Sequence, residues 1–480
     1  MTINLNEIQL NRFAKFAYYG FSVLILALTI AGLSQYAGDP YIYLLFSVVS
    51  NALLYFGFRK NAIFFDTFIG IFCWLGFWLK LTVRVSFAGG LFHEAVGNFD
   101  GSGEAFDRAL LAASCGLFGL LVASFVREKL IFKYPMKMNG YNVNGILKFY
   151  KDYRNFILTG FVVLFLTVAV TNIYFGIYQR GEIAQTILPF GLNGIYKWLL
   201  LFGLASMSAM ILHCELIIKK DVSYIVIILS LLESFSSNVS LLSRGMILNV
   251  SALAYGIYAS LKIKSIKLNL RVPATSFLIF AILFGGSVLM VNYIRLTGFH
   301  GLKQEGLIQG LTSTQHTSKS LFLDRWVGIE GVMAVSSNQK AGWNLWQEAW
   351  KEKYSENTMS FYDKNLITSP YEQTDFTKVH YISLPGIVAF FFYPGSFLFL
   401  FGCMFLLGLF AASVEIAAFK LGGNNLILCS LIAQVVAYRF LSFGYVPAQS
   451  YLLFGTIFLN LFIIYLFDKF IGNWNDRKSK

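Results

Sequence analysis

The chain has 480 residues, of which 56% are hydrophobic and 13% charged, with a formal net charge of +13. A soluble domain carries about 25% charge, so the composition excludes a chain built around water-soluble cores. Most of the basic excess lies between apolar runs, where it sets orientation and meets anionic lipid; it does not argue for nucleic acid.

Apolar runs near the length of a bilayer crossing recur from end to end. In chain order they predict about twelve helices, at roughly 16–33, 41–58, 61–79, 106–126, 155–177, 195–218, 222–241, 245–261, 273–294, 395–418, 426–443 and 449–468. The fold class is an all-α polytopic transmembrane bundle in three parts. Helices one to nine occupy 1–294, a long loop with amphipathic helices covers 295–383, and a re-entrant segment with helices ten to twelve fills 384–480. The first run follows Arg12 and Lys15. It is too long for a signal-peptide core and reads as a retained helix. Cys73, Cys115, Cys214, Cys403 and Cys429 all fall in apolar runs, so no disulfide or zinc framework is implied.

Lysine and arginine counts set the orientation. With the N-terminus inside, the inner segments hold Arg59, Lys60, the cluster from Arg127 to Arg154, Lys219, Lys220, Lys262 to Arg271, Lys420 and the tail. The outer loops are poorer in positive charge, with Lys80, Arg84 and Arg180 the main exceptions. Both termini are therefore expected in the cytoplasm.

The outer loop from Arg295 to about Ser383 is far longer than ordinary connections. It carries Trp343, Trp346 and Trp350 at helical spacing, a stripe for either the outer headgroup region or the protein's own outer surface. After it, two prolines, Pro385 and Pro394, bound an apolar run too short to span. That run is expected as a re-entrant piece, or as a kinked extension of the tenth helix.

Ionisable groups at membrane depth are costly and mark candidate sites. Glu233, Ser237, Ser240 and Arg244 share one face if their helix is continuous, and that face reads as cavity-lining, with a Glu233–Arg244 pair as the bland alternative. Arg295 ends the ninth helix on the same side, and Arg439 lies in the outer third of the eleventh. Asp324 is placed to cap a helix that starts at Arg325. Arg180, Glu182 and Lys197 read as interfacial charges, and His213 and Glu215 as bland. Arginines thus gather toward one outward-facing region. Guanidinium binds phosphate in a bidentate fork, so a lipid-borne diphosphate suits them. No phosphate-cradling glycine loop, HExxH, CxxC or GxSxG occurs, so soluble nucleotide enzymes and zinc or serine hydrolases find no support.

Three stretches resemble the Wzy-type O-antigen polymerases, the oligosaccharide repeat-unit polymerase family. They are Leu188-Pro189-Phe190-Gly191-Leu192-Asn193-Gly194, Ser243-Arg244-Gly245, and Leu384-Pro385-Gly386-Ile387-Val388-Ala389-Phe390 followed by Tyr393 and Gly395-Ser396. The arrangement of many helices with one large outer loop late in the chain is also similar. The resemblance covers roughly Ile187 to the C-terminus, and its motifs are loose.

It implies a glycosyltransferase of the bacterial inner membrane that joins undecaprenyl-diphosphate-linked oligosaccharide units on the periplasmic face. No metal or other cofactor is expected. The implied partners are that lipid-linked glycan, membrane lipids and a chain-length regulator protein. Arg244 matches the family's arginine at this helix start and is carried over as a diphosphate contact. Arg295, Arg325 and Arg439 are added from position. The catalytic base is left open between His316, Glu330 and His380. Two rival readings stand beside this one: an O-antigen ligase, and a flippase or transporter of the lipid-linked oligosaccharide.

Overall fold

The computed structural model describes residues 7–92, 94–135, 144–219, 223–264, 271–299, 323–355, 358–367 and 382–478. Its regular structure is helical throughout these residues. Nine helices among them are long and apolar enough to cross a membrane, and three shorter apolar helices complete the set. The protein is a membrane-embedded, multi-pass helical bundle.

In chain order the apolar helices before the loop are α1 (Glu7–Gln35), α2 (Pro40–Phe56), α3 (Phe64–Phe87), α4 (Gly103–Leu130), α5 (Asn144–Phe175), α6 (Pro189–Lys219), α7 (Tyr224–Ser240), α8 (Met246–Lys264) and α9 (Arg271–Phe299). The loop contributes α10 (Ile329–Ser336) and α11 (Trp343–Trp350). A short α12 (Ile387–Phe391) precedes α13 (Phe397–Leu421), α14 (Leu426–Leu441) and α15 (Ser450–Lys478). The alternation of these twelve apolar helices returns the last to the end of the bundle from which the first departs. We call this the termini end, and the other the loop end.

Helices α3, α4, α13 and α14 pack together at the centre, whereas α1, α9 and α15 lie at the periphery with mostly exposed apolar sides. In lipid such faces carry no penalty, because hydrocarbon is as apolar as leucine. Backbone hydrogen bonds close within each helix, which a bilayer demands.

The third crossing runs past its expected end at residue 79 and takes in Lys80 and Arg84. A widened π-helical turn, Trp74–Leu79, precedes them. Hydropathy alone ends the span before two cations; the tertiary fold keeps them helical because they find partners in the loop.

Those partners change two expectations. Asp324 does not cap a helix at Arg325: its carboxylate pairs with Arg84, and α10 begins only at Ile329. Glu330 lies in the first turn of α10, buried, with Lys80 Nζ at 2.9 Å. Burial pushes its carboxyl above the ordinary range while Lys80 pulls it back.

The tryptophan stripe turns inward. Trp346 and Trp350 pack on Phe399, Phe390 and Phe443, and Trp343 touches Phe399 while keeping about half its surface exposed. The run between the two prolines is a separate buried piece and not an extension of α13. Gly386 takes a left-handed φ of 81° that a side chain would strain, and its N–H donates to the Phe443 carbonyl at 3.0 Å. Helix α12 then ends, and Ser396 caps a fresh start for α13 by accepting the Phe399 N–H.

Candidate functional site

The arginines singled out above meet at the loop end, where three segments fix them. The first is the turn between α7 and α8. Helix α7 stops at Ser240, and Leu242 adopts a left-handed φ of 52°. The Ser243 N–H donates to the Asn238 carbonyl at 2.8 Å, and the Ser243 hydroxyl accepts the Gly245 N–H at 3.1 Å. Arg244 is therefore turned off the face of α7 that carries Glu233 and Ser237. The continuous-helix assumption fails at this turn.

The expected cavity-lining face is consequently a closed one. Glu233, Ser237 and Ser240 are buried. The Glu233 carboxylate accepts the Ser237 hydroxyl at 2.9 Å and the Ser208 hydroxyl at 3.4 Å, and forms no ion pair with Arg244. The Ser240 hydroxyl accepts the side-chain amide of Asn172 at 2.8 Å. These groups satisfy one another inside protein, as buried polar groups must.

The second segment is the loop after α5. Asn172 is fully buried and holds it to the turn. Its amide donates to the Ser240 and Tyr178 carbonyls at 3.0 and 2.9 Å, and its oxygen accepts the Tyr178 N–H at 2.8 Å. Asn193, from the Leu188–Gly194 motif, staples the far side of the loop through the Ile177 and Thr186 carbonyls and the Leu188 N–H. The loop thereby fixes Arg180, whose N–H donates to the Leu241 carbonyl at 3.0 Å and whose guanidinium reaches the Ser243 hydroxyl at 3.4 Å. Arg295, at the end of α9, donates to the Arg180 carbonyl at 3.2 Å. Lys197 lies 5.2 Å from the centre of the Tyr178 ring.

The third segment joins the loop to α14. Trp326 stacks on Phe72 at 5.6 Å, and Phe72 meets Tyr438 edge-on at 6.1 Å. Arg325 is thus held within electrostatic reach of Tyr438, and the next residue, Arg439, within reach of Tyr178. Arg439 also extends to the Ser450 hydroxyl at 3.4 Å.

These guanidiniums feel one another. Burial, with the charges of Arg295 and Arg325, brings the Arg244 pKa down to about 10. Burial and Arg180 lower that of Arg325, against a partial offset from Tyr438. Arg325 is exposed by area, yet the protein around it desolvates its charge. Among the described residues, Arg180, Arg244, Arg325 and Arg439 make no ion pair with a carboxylate. The Arg244 Nε is buried without a hydrogen-bond partner. Like charges gathered at partial burial are unfavourable unless an anion joins them.

Arg244 lies within electrostatic reach of Arg295 and Arg325, and Arg439 within reach of Tyr178. Glu330 is instead engaged by Lys80, and His316 and His380 lie outside the described residues. Sequence reasoning passed over Arg180, Lys197 and Glu182 as interfacial. Glu182 is a half-buried loop carboxylate whose pKa burial raises, with Arg295 near enough to draw it down. The signal that marks them is proximity in the chain to the Leu188–Gly194 motif, whose Asn193 shapes their loop. Among the described residues no cluster of three or more metal-ligating side chains occurs.

No protein-family model, curated protein or solved structure matches the chain.

Proposed function

We propose that the protein is a glycosyltransferase of the bacterial inner membrane that polymerises polyprenyl-diphosphate-linked oligosaccharide units into a surface polysaccharide such as O-antigen, with the loop end periplasmic and both termini cytoplasmic. The observation that carries this reading is the convergence of Arg180, Arg244 and Arg325 without carboxylate partners among the described residues at one end of a membrane bundle. A diphosphate on a membrane lipid matches that charge in sign, and guanidinium takes phosphate in a bidentate fork.

The chemistry follows from the charge. In transfer, the bond between the donor sugar's anomeric carbon and the diphosphate oxygen breaks, and a bond from an acceptor hydroxyl oxygen to that carbon forms. The lipid diphosphate departs carrying the electron pair, and the arginines stabilise the charge that develops on it. The hydroxyl proton passes to a base. Glu182 is a described carboxylate beside the cluster, and its raised pKa keeps it competent to accept a proton.

The test is elongation by purified protein in lipid nanodiscs supplied with lipid-linked repeat units. The wild type should yield chains longer than one unit. Arg244→Ala should lower the rate by about a hundredfold or more, as for loss of one donor to a developing anion, while the folded yield is retained. Arg244→Lys should also be weak, since an ammonium lacks the fork. Translocation of intact units without elongation would refute the enzyme reading in favour of a transporter. Transfer only to a lipid A core acceptor would refute the polymerase in favour of a ligase.

A further inference from the structure

Arg325 is the member of the cluster that comes from the long loop, and its neighbours in sequence are tied to α3. Lys80 Nζ donates to the Asp324 carbonyl at 3.0 Å, to the Trp326 carbonyl, and to the Glu330 carboxylate at 3.0 Å. One ammonium has three donors, and all three are spent on this segment. Lys80 is almost completely buried. Four residues later, one helical turn on, Arg84 pairs with the Asp324 carboxylate.

The backbones also touch here. Gly76, in the widened turn of α3, lies against the Val327 carbonyl and Gly328, and a Cβ on either glycine would collide with the other strand of chain. The Trp326 ring stacks on Phe72, from the same helix. The run from Asp324 to Glu330 is therefore fastened to α3 at its carbonyls, its two acidic side chains, one ring and one glycine contact. Arg325 is the charged side chain of that run left out of these ties, and it lies within electrostatic reach of Arg244, Arg180 and Tyr438.

We infer that Lys80, with Glu330 and the Arg84–Asp324 pair, is a positioning device that sets the Arg325 guanidinium in the anion site. The inference rests on the diphosphate reading of that site. A loop residue otherwise has no fixed place relative to helices α7 and α14. Clamping the peptide groups on both sides of it with one buried cation removes that freedom before the ligand arrives, and so lowers the entropic cost of binding. It also accounts for two cations, Lys80 and Arg84, on the side of the membrane where positive charge is otherwise sparse.

The test uses inorganic pyrophosphate as probe and an arginine-modifying dicarbonyl reagent as reporter, with modification at each arginine read by mass spectrometry on the full-length protein in nanodiscs. In the wild type, pyrophosphate should protect Arg244 and Arg325 together. In Lys80→Met, protection of Arg325 should be lost while that of Arg244 persists, and the KM for lipid-linked repeats should rise about tenfold or more, as for loss of a charge-assisted hydrogen bond. Lys80→Arg should recover part of both, and the partly exposed Arg84→Gln should give the same pattern in milder form if Lys80→Met folds poorly. Unchanged protection of Arg325 in Lys80→Met, or in Arg84→Gln where that is the variant that folds, would overturn the positioning role and leave the diphosphate site standing. Absence of protection at both arginines in the wild type would overturn the diphosphate reading, and the positioning role with it.

Discussion

At the termini end of the bundle, Arg59, Arg127 and Arg154 each meet a carboxylate. Arg127 is buried among the Asn61 and Phe132 carbonyls and the Asp66 carboxylate, and Arg59 spans Asp66 and Glu128 at 3.4 and 2.6 Å. Arg154 pairs with Glu215, which also accepts Lys219 and the Tyr150 hydroxyl. Even the carboxylate without a cation is used: Glu415 accepts the Phe64 and Phe65 N–H groups at 2.9 Å each, capping the open first turn of α3. At the loop end, Arg244 and Arg325 lie within reach of each other, and Arg180 of Arg325, with no such partner for these or for Arg439 among the described residues. The same side chain thus serves two purposes. Paired and closed off, it joins helices; at the loop end its charge meets no carboxylate among the described residues. Buried charge is tolerated only when compensated, so the uncompensated set is the one that points to an anion from outside.

The comparison can be broken by separating stability from activity. The largest effect is expected from Arg127→Ala, which leaves Asp66 buried with only Arg59 nearby. It should destabilise by about 3–5 kcal/mol, the cost of removing one partner of a buried pair. Thermal unfolding in detergent would show this as a sharp fall in the transition, while elongation per folded molecule stays near wild type. If elongation per folded molecule collapsed while the melting point held, the division between joining and binding arginines would fail.

A smaller effect is expected from Asn172→Ala. Asn172 donates to the Ser240 and Tyr178 carbonyls and accepts the Tyr178 N–H, so its loss frees the loop that carries Arg180. The expected cost is about 1–3 kcal/mol, with a fall in activity that persists per folded molecule. Normal activity per folded molecule would show that the loop's placement does not matter to the site.

The smallest effect concerns pH. Glu182 has its pKa raised by burial, so its proton-accepting form is filled only as pH rises through a range above that of an ordinary glutamate. Elongation should therefore climb along a limb in that range, and Glu182→Gln should abolish the limb. The sign for stability is opposite. A carboxyl with a raised folded-state pKa favours the fold most at pH below its unfolded value, and that contribution is lost as pH rises through the folded one. A pH–rate profile unaltered by Glu182→Gln would remove this residue from the base role.

The crossings were readable because hydropathy is local: about 20 residues of apolar sequence must satisfy the bilayer whatever surrounds them. The ends of those segments were less legible, because partners from distant parts of the chain extend them, as the loop partners of Lys80 and Arg84 do for α3. Arg244 was readable as a charge at a helix boundary; its direction was not, because it depends on Leu242 leaving the helical region. The cavity face drawn through Glu233, Ser237 and Ser240 followed from helical periodicity, which says what shares a face but not what covers it.

What the sequence determined alone is therefore the bundle itself: its twelve apolar segments, its one long loop, and the sparse charges at their boundaries. The tertiary structure alone decided which charges cancel. Lys80 finds Glu330 and Arg84 finds Asp324 across some 240 residues, and Glu415 reaches the start of α3 from α13. A short-range interaction between groups so distant in the chain depends on which helices become neighbours. Packing sets that, and no local run of residues encodes it.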